Sequence, residues 1–321
     1  MLRVGILSVA HMHAGSYVHA FGKDPRTEIV GIWDHDLERA RAYAEGKGLK
    51  VFEDRDELIE ACDAVCVCTE NQHHLENVLA AAAKGKNAIC EKPLVAREED
   101  AQTMREAVEK AGTFVMTAFP CRFSPAFVRL KERVANGEIG RIRAISATNR
   151  GTCPWGWFVE KELSGGGAMI DHVVHVTDLI RDLLQEEPIK VQAQTGNNLY
   201  SQDWEDTAMV TMEFPSGIFA TLDSSWSRPK GYKTWGDVTM TVVGEQGTIE
   251  LDMFGPSVEV YSEGYRSASY GSDLDAALIE SFLTACIDGT PVVTTMHDGL
   301  QAARVALAGY RSIEAGQPVA M

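Results

Sequence analysis

The first third of the chain alternates between continuous apolar runs and amphipathic ones. Apolar runs at 3–9, 28–33, 64–68, 87–90 and 114–118, with a shorter one at 51–52, read as strands. The segments 14–21, 37–45, 56–61, 74–84 and 98–111 read as helices. Strands that are apolar throughout and separated by helices predict a parallel sheet covered on both faces. After about Phe119 the pattern changes. Helices are expected at 125–136 and roughly 168–184, the second just after Gly165-Gly166-Gly167. Strand candidates follow at 141–149, 189–195, 207–214, 218–226, 238–243, 248–252 and 258–261, separated by turn signals such as Pro215-Ser216-Gly217. Closing helices are expected at 275–287 and 299–314. The pattern predicts an α/β region over 1–120 and, over 121–321, an α+β region with a large, mainly antiparallel open sheet.

Composition narrows the class. A chain of 321 residues is comfortable for two domains, and 45% hydrophobic with 24% charged residues is ordinary for a globular enzyme. The net charge of −16 repels phosphate backbones and anionic lipid, so neither nucleic acid nor membrane is an expected partner. The seven cysteines contain no C-x-x-C pair and are odd in number, which points to a reduced, cytoplasmic protein with buried thiols. Cys66 and Cys68 share a strand face and read as packing rather than metal ligands. The start, Met1 to Leu7, is too short an apolar run before His11 and His13 for a signal peptide and reads as a first strand.

Two polar clusters in apolar settings carry candidate chemistry. Glu91-Lys92-Pro93 follows the strand at 87–90, and Asp171-His172-Val173-Val174-His175 opens the helix after the glycines. Asp171 and His175, four residues apart, share a helix face that Asp178 and Asp182 continue, opposite Val173, Val176, Ile180 and Leu183. That face is expected to look outward toward a cleft. His175 is suited to accept a hydroxyl proton, Asp171 to orient a substrate, and a partly desolvated Lys92 to share in proton transfer or hold an alkoxide. The bland alternatives are a helix-surface pair and a surface Glu-Lys ion pair.

A dinucleotide turn places glycines at G-x-G-x-x-G after the first strand. Here Ser8, Ala10 and His13 hold those positions, so all three glycines are missing. Ser8 and Ala10 are small enough for backbone amides still to meet a phosphate. Asp34 ends the second strand, where a carboxylate can bind ribose hydroxyls and repel a 2′-phosphate; no Arg or Lys follows until Arg39, which favours NAD over NADP. The alternative for Asp34 is an ordinary turn aspartate. His11, His13 and His19 crowd the same region and read as loop-lining or capping residues, with no metal site assigned. Trp155 and Trp157 are suited to stack on a sugar face or to pack at an interface, and Arg122 to contact substrate or close an ion pair.

At these residues the chain resembles the glucose–fructose oxidoreductase / inositol dehydrogenase / MocA-like family. The resemblance is carried by residues 85–93, by Arg122-Phe123-Ser124-Pro125 with Gly137-Glu138-Ile139-Gly140, by residues 165–171 with His175, by Glu205-Asp206-Thr207-Ala208 and by Gly316-Gln317-Pro318-Val319. It implies a doubly wound Rossmann domain followed by a substrate-binding and oligomerisation domain whose open sheet forms a homodimer or homotetramer. It implies hydride transfer between NAD(P) and a sugar, polyol or related cyclic alcohol. By matching position, Lys92, Asp171 and His175 take the catalytic roles, with His172 beside the substrate. Ser8, Ala10, His11, His13, Asp34, Thr69, Asn71, His74, Glu91 and Lys92 line the cofactor, and the Lys92-Pro93 bond is expected to be cis. Two departures stand out: the replaced glycines, and Glu70, where relatives commonly have proline. A redox-neutral lyase, epimerase or glycosidase with transient NAD oxidation, and a non-catalytic sugar or dinucleotide sensor, are the alternative functions.

Overall fold

The computed structural model describes residues 1–234, 236–255 and 271–321, and the backbone of 257–261 and 265–269. The chain divides into two compact units, Met1–Pro120 with Leu274–Leu300, and Cys121–Asp273 with Gln301–Met321. The sequence pattern gave one cut near 120. The return of 274–300 to the first unit corrects it, because an apolar helix carries no mark of which sheet it will cover.

In the first unit, β1 (Leu2–Leu7), α1 (Ala14–Lys23), β2 (Thr27–Trp33), α2 (Leu37–Ala44), α3 (Arg55–Ala61), β3 (Ala64–Val67), α4 (His74–Ala83), β4 (Asn87–Cys90), α5 (Glu98–Ala111) and β5 (Val115–Thr117) follow in order. The five strands form a sheet in the order β2-β1-β3-β4-β5, parallel throughout. Val51 adds a single parallel bridge to Ile32, so the expected strand at 51–52 is only one bridge long. All four residues of β3 are buried, as a strand covered on both faces requires. Asp36 and Asp54 cap α2 and α3 through their side chains, which fixes where the chain turns into each helix. The strand order reverses between β1 and β3, and in open parallel sheets ligands bind beyond the carboxyl ends at such a switch point. The turn after β1, Asp34 after β2 and Thr69 after β3 all lie at that end.

The second unit contains α6 (Pro125–Ala135), β6 (Ile142–Gly151), α7 (Lys161–Ser164), α8 (Ala168–Leu184), β7 (Lys190–Gly196), β8 (Thr207–Glu213), β9 (Phe219–Ser225), β10 (Gly236–Gly244) and β11 (Thr248–Asp252). The hairpin β12 (Ser257–Tyr261) and β13 (Tyr265–Ser269) follows. Next, α9 (Leu274–Asp288) returns to the first unit, α10 (Met296–Ala315) crosses the boundary at 300, and β14 (Val319–Ala320) ends the chain. In the first unit, Phe282 of α9 meets the rings of Phe21 and Phe114 edge-on. Seven strands make the second sheet, in the order β11-β10-β6-β9-β8-β7-β14. Its pairs are antiparallel except β6 with β9. On β8, Ala208, Val210 and Met212 are buried on the side of α8, while Met209 faces outward.

Candidate functional site

The two halves of the expected site lie in different units. In the first unit, the turn after β1 is built without glycine by a hydroxyl. Ser8 has φ +71°, a left-handed conformation that costs a residue with a Cβ about 1–2 kcal/mol. Its Oγ donates to Asp34 Oδ2 at 2.7 Å and accepts from the Ala10 amide at 3.1 Å, which ties the turn to the end of β2. Most amides of the turn find acceptors in the protein. Val9 donates to Asp34, His11 to the Cys68 carbonyl and, at 3.3 Å, His13 to His11 Nδ1. The longest of these bonds are those of Ala10, at 3.1 Å, and His13, at 3.3 Å.

Asp34 is fully buried and accepts from Ser8, from the Val9 and Asp36 amides, and from Arg39 through Nε at 2.9 Å and Nη2 at 2.6 Å. Burial opposes its charge, but Arg39 and these donors outweigh burial and hold the carboxyl below its ordinary value. Arg39, five residues after Asp34, therefore lies on it, and its Nη1 reaches Glu70 Oε1, 31 residues away, at 3.0 Å. The Glu70 partner was not legible from spacing. Thr69 Oγ1 and Glu70 Oε2 are buried with no hydrogen-bond partner. Unpartnered acceptors at the switch point fit a ligand rich in hydroxyls, which is the chemistry of a dinucleotide's riboses. His74 is fully buried with Nδ1 on the Pro93 carbonyl at 2.9 Å, where it braces the loop after β4, and Asn71 is buried at the start of the short turn before α4.

Glu91 ends β4 and gathers the turn around itself. Tyr17 donates to Oε1 at 2.6 Å, His13 Nδ1 lies 3.0 Å from the same oxygen and His11 Nδ1 3.4 Å. Burial disfavours charge on Glu91, but His11, His13 and Lys92 together hold it well below the carboxylate range. Burial likewise opposes charge on His13, and the Glu91 carboxylate outweighs it, so the imidazole's pKa is raised. Lys92 is buried and its peptide bond to Pro93 is cis.

In the second unit the start of α8 is a buried amide cluster. The helix has no side-chain cap of its own. Glu205 supplies one from the loop before β8: Oε1 accepts from Gly167 at 2.7 Å and Met169 at 3.3 Å, and its carbonyl accepts from Ala168 at 2.9 Å. The glycines are required by approach, since a Cβ on Gly167 would lie 2.2 Å from the Glu205 carbonyl and one on Gly166 2.0 Å from the Tyr310 hydroxyl. Asp171, in the first turn, takes Trp226 Nε1 on Oδ2 at 3.0 Å, and His172 Nε2 lies 3.2 Å from the same oxygen. His172 Nδ1 is 2.9 Å from the Asn149 carbonyl, which can only accept, so that nitrogen carries the hydrogen. With that hydrogen on Nδ1, Nε2 donates to Asp171 only when the ring carries a second hydrogen, so Trp226 Nε1 is the donor that fixes the carboxylate. His175 follows one turn later, also buried.

The expected outward polar face is corrected here. Every residue of α8 from Ala168 to Arg181 is buried. Asp178 is paired bidentately with Arg122, at 2.7 and 2.6 Å, and Asp182 with Arg122 and Lys131. A buried carboxylate such as Asp178 needs such a partner, so Arg122 braces α8. Trp157 stacks on Phe158 with ring centroids 3.8 Å apart. Trp155, 49% exposed, stands edge-on to Tyr200 and Trp204. Trp204 in turn meets Trp226, so an aromatic row runs from solvent to the partner of Asp171. Trp226 was missed because an isolated tryptophan in a strand pattern carries no sign of what its N–H will reach.

Residues 2–119 match a family model described as oxidoreductase family, NAD-binding Rossmann fold, and residues 127–250 one described as GFO/IDH/MocA C-terminal domain. A myo-inositol 2-dehydrogenase of Thermotoga maritima is 30% identical across 98% of this chain and 96% of its own. A D-glucoside 3-dehydrogenase of Escherichia coli is 30% identical over 70% of each chain. Among solved structures, GenD2 from gentamicin A biosynthesis, in complex with NAD, superposes with a TM-score of 0.91 at 26% identity, covering 100% of this chain and 96% of that one.

Proposed function

Because the chain belongs to the glucose–fructose oxidoreductase / inositol dehydrogenase / MocA family, we propose that it is an NAD-dependent dehydrogenase of a secondary hydroxyl on a sugar, polyol or related cyclic alcohol. The observation that carries this reading is Asp171, a carboxylate at the buried start of α8, fixed by Trp226 with His172 beside it, one helical turn before His175. NAD, when bound, supplies the hydride acceptor. His175 takes the proton of the reacting hydroxyl, Lys92 offsets the charge left on its oxygen, and Asp171 orients the substrate by accepting from a hydroxyl. Asp171 is aimed by its own hydrogen bonds, so little reorganisation accompanies substrate binding. The turn from Ser8 to His13, with Thr69, Asn71 and Glu91, holds the cofactor, and Trp155 borders the substrate. NAD is preferred over NADP because two carboxylates, Asp34 and Glu70, surround the single guanidinium of Arg39. No metal is assigned. A reducing cytoplasm suits seven cysteines of which six are buried. The outward side of β8 and β9, with Met209 and Phe219 half exposed, suits self-association into a dimer or tetramer.

The test begins with fluorescence titration of the protein by NADH and NADPH, followed by a panel of polyols, sugars and glycosides with NAD. Lys92→Ala and His175→Gln are each expected to lower kcat by about 10²–10⁴-fold while NADH still binds. Unchanged turnover in either variant would overturn that residue's role. Absence of binding by both nucleotides, with none carried through purification, would overturn the dehydrogenase and favour a sensor. Tightly held NAD with no net reduction would mark a redox-neutral reaction.

A further inference from the structure

The position usually given to ribose recognition, the carboxylate after the second strand, is already full in this chain. Asp34 accepts from Ser8 Oγ, the Val9 and Asp36 amides, and Arg39 Nε and Nη2. A carboxylate offers about four lone-pair sites, so a ribose diol finds no acceptor there without breaking a bond that shapes the turn. Glu70 presents the opposite case. It is buried beyond the end of β3, at the switch point of the sheet, with Oε1 on Arg39 and Oε2 lacking any partner. A buried carboxylate oxygen without a donor is costly, and a vicinal diol supplies two donors. The rings of His35 and His73, 4.9 Å apart and both partly exposed, rim the same carboxylate, with His35 Nε2 3.7 Å from Oε1. They leave an imidazole surface for a flat base beside it.

We propose that Glu70, not Asp34, is the acceptor for the adenosine ribose diol, and that Arg39, gripped between the two carboxylates, is withheld from a 2′-phosphate. The inference rests on the NAD reading above and names how this chain recognises that cofactor. Arg39 donates through Nε and Nη2 to Asp34 and through Nη1 to Glu70. Its charge is outnumbered by two carboxylates, so a dianionic phosphate meets a net negative site. Removing one of those charges frees part of the guanidinium. The residue that departs from the family's usual proline is thus the one that binds the ribose and keeps the site selective.

A coupling cycle tests this. NADH and its analogue lacking the adenosine 2′-hydroxyl are titrated into wild type and Glu70→Gln, and NADPH into both. In wild type the missing hydroxyl is expected to weaken binding about tenfold or more, the range of a hydrogen bond to a charged group. In Glu70→Gln the two nucleotides should bind nearly alike, and the preference for NADH over NADPH should narrow. If circular dichroism shows that Glu70→Gln does not fold, Glu70→Asp carries the same cycle, with its shorter carboxylate weakening the coupling. NADH binding by wild type with purely additive effects would overturn the Glu70 assignment alone. Failure of wild type to bind either reduced nucleotide would overturn the NAD reading itself.

Discussion

At the scale of single residues, Ser8 shows how a missing motif is replaced. Glycine at this position supplies a positive φ without cost, and the serine adopts φ +71° all the same. Its hydroxyl compensates through Asp34 and the Ala10 amide. Ser8→Ala and Ser8→Gly both delete those bonds, but only alanine keeps the strain. Thermal or urea unfolding should therefore find both less stable than wild type, with glycine above alanine by about 1 kcal/mol. Equal stabilities would mean that the turn stores no strain at Ser8. Composition and spacing showed the absent glycines. They gave no way to see that Ser8 could take the glycine conformation, because the compensating partner lies 26 residues away. Arg39 was only half readable, since Asp34 lies five residues before it but Glu70 lies 31 residues after it. Its reach across to Glu70 depends on β2 and β3 ending at the same edge of the sheet, one on each side of β1, which is a property of the sheet.

At the scale of elements, α8 is where the sequence was most and least informative. Its length, its apolar stripe and the placing of Asp171 and His175 on its first turns were legible from the 3.6-residue period. The fate of its polar side was not, since Asp178 and Asp182 look the same in sequence whether they meet water or Arg122 and Lys131. The cap was equally hidden. The residues Glu205-Asp206-Thr207-Ala208 marked a family likeness without a role, and Glu205 among them satisfies amides that α8 leaves open. Glu205 Oε1 also takes the Tyr310 hydroxyl at 2.6 Å, so one oxygen serves three donors. Glu205→Ala strands buried amides at the end of the helix that bears Asp171 and should cost about 2–4 kcal/mol in a denaturant melt. Glu205→Gln, which keeps an acceptor oxygen, should recover part of that loss. A melt in which alanine and glutamine behave alike would show that the cap is not what holds α8.

At the scale of the whole molecule, an excess of 16 negative charges makes the few buried ionic clusters the places where pH acts on stability. The Glu91 cluster ties α1 and the turn after β1 to the end of β4. Glu91 lies well below its ordinary 4.5, so its contribution is present above that pH and is lost as pH falls through the lowered value. His13 lies above its ordinary 6.5, so its contribution is full below that pH and is lost as pH rises through the raised value. Both are in force together between about 4.5 and 6.5. His13 is the more exposed partner, with a third of its side chain open to solvent, and salt will screen part of its share. The difference in Tm between wild type and His13→Gln should therefore be greatest at mildly acid pH and shrink above neutrality. A difference that stays constant from about pH 5 to 9 would show that His13 holds Glu91 as a neutral hydrogen-bond donor, its charge contributing nothing. The same titration bears on the cofactor, because His13 holds the third glycine position of the turn, at the start of α1, where a helix N-terminus faces a pyrophosphate. A cation there strengthens phosphate binding at low pH and releases it as the imidazole deprotonates. NADH affinity should fall over the same interval in which the stability difference disappears, and in His13→Gln it should be flat. Loss of affinity with pH in both proteins would place the titrating group elsewhere in the turn.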